Sequence, residues 1–166
     1  LVADEFIWAD AGRGEKRTAH PIARHYRCTV CRDQRGGSEG REAPLDHEDL
    51  LRAGSRAGLI EARAALRERF PPVDTAPGLV DELLDLHTPR QLVSLVAILD
   101  RIEADLRAAP VLAALRLALL QAILPASRLA TGAGRHSALK VTGGHVRLPV
   151  TAQWRERNPW LAFEEG

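Results

Sequence analysis

Cys28 and Cys31 form the sharpest chemical feature of the chain, two thiols separated by two residues in Tyr26-Arg27-Cys28-Thr29-Val30-Cys31. A pair at this spacing can grip one tetrahedral zinc ion from a knuckle turn, but a structural zinc needs four ligands. His20 and His25 lie just upstream in a His-x4-His-x2-Cys-x2-Cys run, and they are the further candidate ligands within the sequence. Two other readings stand beside zinc: a redox pair, or free thiols in a surface turn. The redox reading lacks the helix start that lowers a reactive thiol's pKa, since Asp33-Gln34-Arg35-Gly36-Gly37 opens a helix poorly. Around the cysteines stand Arg24, Arg27, Arg32 and Arg35, with Tyr26 among them. Guanidiniums suit phosphate, and a tyrosine ring can stack on a base, so these five residues are candidate nucleic-acid contacts. A solvated rim diluted by Asp33 and Glu39 is the plainer alternative.

Other polar groups carry less. Asp46, His47, Glu48 and Asp49 could be ligands, but they read first as the acidic opening of a helix after Pro44. Gly132-x-Gly134 follows no convincing strand and reads as a turn. No phosphate-binding loop, dinucleotide fingerprint or nucleophile pattern is present in the sequence, so no catalytic and no cofactor-binding residue is assigned.

The elements that must position these groups follow from pattern. Leu1 to Trp8 reads as a strand, and Tyr26 to Cys31 as a strand entering the knuckle. Helical composition runs from His47 to Phe70, weakened at Gly54 and Gly58 and stopped by Pro71-Pro72. Leu79, Val80, Leu83, Leu84 and Leu86 repeat at helical spacing. Thr88-Pro89 is an N-cap followed by a first-turn proline, and its helix puts Leu92, Leu95, Val96, Leu99, Ile102 and Leu106 on one face. Pro110 opens a helix from Val111 to Leu124 that is apolar on most sides, as a helix in the middle of a bundle or against a partner domain would be. Leu139 to Leu148 around Gly143-Gly144 has the form of a hairpin. The tail holds two of the three tryptophans and is expected to dock against something.

The fold expected is therefore α+β and mainly helical: a small β/zinc-knuckle module over 1–44, three to four helices over 45–130, and a hairpin with an aromatic tail over 131–166. With 23 Lys and Arg against 22 Asp and Glu, no global field recruits a polyanion, although the cations are nearly all arginine. Val111 to Leu124, interrupted by Arg116 and Gln121, is too short to cross a bilayer, and the acidic start is no signal peptide. A soluble, cytoplasmic protein with no membrane partner is the expectation. Absence of methionine, an opening inside strand-like alternation and an ending just after an aromatic segment favour a piece of a larger protein.

Three segments together resemble the central region of large bacterial adenine-specific DNA methylases: Tyr26 to Cys31, Leu86-His87-Thr88-Pro89-Arg90-Gln91-Leu92, and Arg155-Glu156-Arg157-Asn158-Pro159-Trp160. The resemblance extends over most of the chain. It implies a parent enzyme that moves a methyl group from S-adenosylmethionine to a base amino group of flipped-out DNA. It also implies that Cys28 and Cys31 are one knuckle of a zinc-ribbon-like insert, its other pair lying before Leu1. Thr88 and Pro89 would start a helix beside the methylase core. The family's Asp-Pro-Pro-Tyr motif and glycine-rich cofactor loop are absent from these residues. The chain alone is then expected to be inactive and to serve DNA binding, with the missing core as partner. The alternative is a free-standing helical protein whose zinc knuckle binds nucleic acid or a protein.

Overall fold

The computed structural model describes residues 5–11, 18–26, 40–71, 74, 78–129, 140–142, 145–147 and 152–166. The architecture is α+β and mainly helical, as the sequence pattern indicates. Strands β1 (Glu5–Ala11), β2 (Thr18–Tyr26), β3 (Arg41–Ala43) and β6 (Gln153–Glu156) form one antiparallel sheet in the order β3-β2-β1-β6. Strands β4 (Lys140–Thr142) and β5 (His145–Arg147) form the expected hairpin.

Alternation along β1 and β6 creates the first core. Phe6 faces Glu156 and Trp8 faces Trp154 across the pair, which puts these four side chains on one side of the sheet. Phe6, Trp8 and Trp154 are buried there with Ala53, and Leu45 packs against them. The two indoles stack with centroids 6.1 Å apart, an arrangement that adds about 1 kcal/mol beyond area burial. The β1–β2 register shifts between Ile7 and Trp8, whose partners are Ala23 and Pro21. Pro21 sits at this irregularity, where a missing N–H interrupts no regular ladder.

Helix α1 (His47–Gly54) starts at a capping box in which Asp46 and Asp49 each accept the other's backbone N–H. It stops at Gly54, and α2 (Leu59–Arg69) restarts after Gly58, whose φ of 74° is the left-handed conformation that glycine adopts most readily. A short α3 (Leu79–Leu84) leads to α4 (Pro89–Glu103), capped by Thr88 with Gln91 completing a second box. Helix α5 (Ala109–Ile123) and the terminal α6 (Pro159–Glu165) complete the helical layer.

The second core lies between α4, α5 and α6, where Leu95, Ile98, Ile102 and Leu119 are buried and Leu99, Leu115 and Phe163 pack around them. Two expectations need correction. Leu106 is fully exposed, because α4 ends at Glu103 and the helical face stops before reaching it. Helix α5 is not in the middle of a bundle: Leu119 and Ala122 are buried, while Leu117 and Leu120 are 56% and 64% exposed, and the alternative of a partner domain is untouched by this. The aromatic tail docks as expected, and through both cores. Trp154 enters the sheet with β1, and Phe163 packs on the helices. No helix among the described residues is long and apolar enough to cross a membrane.

Candidate nucleic-acid interface

One face of the outer sheet, at the β2–β3 edge, gathers arginine around a single carboxylate. Arg24 on β2 lies between Phe6 and Ala43, and Tyr26 pairs with Arg41. Pairing and alternation put Arg24, Tyr26 and Arg41 on the same side, the side that α1 covers with Asp49. Asp49 is fully buried and receives three donors. Arg52 Nη2 donates to its Oδ1 at 2.6 Å, Arg24 Nη1 stands 3.4 Å away, and the Asp46 N–H donates to Oδ2 at 3.2 Å. Burial pushes this carboxyl up, but the Asp46 N–H and the two guanidiniums outweigh burial and hold it below the ordinary range.

Two guanidiniums thus share the Asp49 carboxylate. The Arg24 guanidinium also lies 5.7 Å from the Tyr26 ring centroid, within cation–π reach. Arg41 is exposed and makes no ion pair among the described residues. Its neighbour Glu42 pairs with His25 and therefore belongs to the opposite side of the sheet. An exposed arginine, two half-exposed ones and a half-buried tyrosine at one edge can bind phosphate and present a ring to a base.

The opposite side is closed by a different network. His25 Nδ1 lies 3.4 Å from Glu5 Oε2, Arg155 Nε lies 3.1 Å from the same oxygen, and the Asn158 N–H donates to Glu5 Oε1 at 3.1 Å. Burial raises the Glu5 carboxyl, and His25, Arg155 and Asn158 together reverse that and hold it low. His25 Nε2 is also 3.3 Å from Arg155 Nη1, and its ring fills the space beside Gly40, where a Cβ would come within 2.0 Å of it. His20 is exposed and pairs with Ala9, four positions along β1 from the Glu5–His25 pair. At about 3.3 Å per residue the two histidines stand roughly 13 Å apart on one face. Ligand nitrogens lie about 2 Å from a zinc ion, so β2 does not bring this pair to one ion. Among the described residues no group of three or more His, Cys, Asp or Glu could hold a metal. Cys28, Cys31, Arg27, Arg32 and Arg35 lie outside the described residues, so the knuckle and those three candidate contacts have no structural account.

A third cluster joins sheet to helices. Glu156 is buried, accepting from Trp8 Nε1 at 2.6 Å and Thr88 Oγ1 at 2.8 Å, with Arg90 Nε 3.9 Å away. Burial is the largest influence and pushes this carboxyl above its ordinary range; Arg90, Trp8 and Thr88 pull it down without prevailing. Gln91, also fully buried, donates from Nε2 to the Arg157 carbonyl at 3.3 Å. Arg90 also covers the Phe6 ring at 4.7 Å. Thr88-Pro89-Arg90-Gln91-Leu92 and Arg155-Glu156-Arg157-Asn158-Pro159-Trp160, far apart in sequence, therefore meet directly. The carboxylate sits at the N-terminus of α4, where the helix dipole favours negative charge.

Sequence reasoning named Arg24 and Tyr26, and the structure places them together. It missed Arg41 and Arg52, and it read Asp49 first as part of a helix's acidic opening, with a ligand role as the lesser alternative. Arginine three residues beyond a first-turn aspartate was the available signal for Arg52; nothing local pointed to Arg24 as the second partner. Comparison of the chain with known protein families, with curated proteins and with solved structures gave no match.

Proposed function

We propose that this chain is the DNA-facing part of an S-adenosylmethionine-dependent, adenine-specific DNA methyltransferase, and that it contributes target binding rather than methyl transfer. The observation that carries the DNA-binding part is the pair of guanidiniums, Arg24 and Arg52, on one buried carboxylate beside Tyr26 and Arg41. Contacts of this kind position a protein on the phosphate backbone without reading sequence. The methyltransferase part rests on the resemblance, and two of its three segments form one hydrogen-bonded joint through Thr88, Gln91, Glu156 and Arg157. The core bearing the Asp-Pro-Pro-Tyr motif and the cofactor loop would supply S-adenosylmethionine binding and the reaction. The outer face of α5, with Leu117 and Leu120 exposed, is where that core would seat. Any zinc would belong to the Cys28–Cys31 knuckle, completed by ligands other than the His20–His25 pair.

Fluorescence anisotropy of a labelled 20-base-pair duplex tests the binding claim. The chain should bind at low salt and weaken steeply as salt rises. Arg41→Ala should lower affinity roughly five-fold at 0.1 M salt, in keeping with the loss of one phosphate contact. Equal binding by the wild type and Arg41→Ala would remove this edge from the interface.

A further inference from the structure

The ion pairs at Asp49 are unequal. Arg52 is bound closely, at 2.6 Å, from a side chain 43% exposed; Arg24 is bound at 3.4 Å from one 29% exposed. Arg52 occupies the last turn of α1, one helical turn from Asp49, on a long side chain that is the more exposed of the two. Arg24 is fixed in the middle of a paired strand, with its Nε buried and its guanidinium near Tyr26. Asp49 itself cannot follow, because its other oxygen holds the Asp46 N–H in the capping box. A polyanion arriving at the Tyr26–Arg41 edge therefore meets one arginine that can change partner and a carboxylate that keeps a second arginine when it does.

We propose that Asp49 is a built-in counter-charge for this interface, and that Arg52 exchanges from Asp49 to a nucleic-acid phosphate on binding while Arg24 stays behind to neutralise the carboxylate. This rests on the DNA-binding reading and assigns Asp49 a regulatory part in it: the residue restrains affinity by competing with phosphate for Arg52. Such competition discourages tight binding to arbitrary polyanions, since each encounter must first break an existing pair.

Duplex binding by wild type, Asp49→Asn, Arg52→Ala and the double variant, over a range of salt, tests the exchange. Asparagine at 49 can still accept the cap hydrogen bond. Asp49→Asn should bind roughly five-fold more tightly than wild type with the same salt slope, since Arg52 reaches phosphate in both proteins. Arg52→Ala should reduce the slope by about 0.9, the loss of one phosphate contact. The double variant should match Arg52→Ala. A gain that persists in the double variant would be a general charge effect and would overturn the exchange, as would wild-type affinity in Asp49→Asn. Absence of duplex binding by every folded variant would instead overturn the DNA-binding reading itself. Should Asp49→Asn fail to fold, judged by thermal melting, Arg52→Ala decides alone: a reduced slope supports the exchange and an unchanged one overturns it.

Discussion

Two tryptophans stacked on each other have different polar obligations, and this difference is testable one atom at a time. Trp8 Nε1 donates to Glu156, whereas Trp154 Nε1 is buried with no hydrogen-bond partner among the described residues. Trp8→Phe should therefore destabilise the fold more than Trp154→Phe, by about 1–3 kcal/mol, because only the first leaves a buried carboxylate short of a donor. Urea unfolding of the two variants measures the difference, and the reverse order would contradict the assigned bond. Glu156 also makes a pH prediction. Its carboxyl is raised in the folded chain, so the folded state keeps a proton that the unfolded chain has released. That contribution is fully present below the unfolded carboxyl pKa of about 4.3 and is lost as pH rises through the folded value. Asp49 and Glu5 are shifted the other way, and their contribution is lost as pH falls through their folded values. Thermal melts across pH should show Glu156→Gln with less loss of stability on the alkaline side of the carboxyl range; curves that stay parallel to wild type would count against the raised carboxyl.

At the scale of elements, local chemistry was readable and distant pairing was not. Both capping boxes follow from short-range spacing, Asp46 with Asp49 and Thr88 with Gln91, because each satisfies backbone groups within one turn. Pro71 and Gly54 mark helix ends for equally local reasons. Strand β6 was not foreseen, since Gln153-Trp154-Arg155-Glu156 is too short to declare itself without β1 beside it. The Thr88–Glu156 bond joins residues 68 apart, so no window of sequence could contain it. Thr88 consequently does more than cap. Thr88→Ala should cost about 2 kcal/mol, the cap plus the lost hydroxyl on a buried carboxylate, and Thr88→Ser should recover most of it. Chemical denaturation of the two variants decides; a cost of only a few tenths would mean that Glu156 does not depend on this hydroxyl.

For the whole molecule, the sequence indicated the class, the helical middle and the hairpin, but not that the tail completes the first sheet. Half of the proposed interface could be read in advance, because Arg24 and Tyr26 lie just before the cysteines. The other half comes from β3 and α1, which only folding brings to that edge. Apolar composition left two readings open for α5, because hydrophobicity shows what a helix can bury and not against what, and the described fold buries one face of it. Nucleic acid is proposed to meet the molecule at the β2–β3–α1 corner and not along that apolar helix. Backbone amide chemical shifts followed during titration with a 20-base-pair duplex locate the contact directly. The largest shifts are expected at Arg24–Tyr26, Arg41–Ala43 and Asp49–Arg52. Shifts confined to α5 and α6, or no shifts at all, would contradict the proposal.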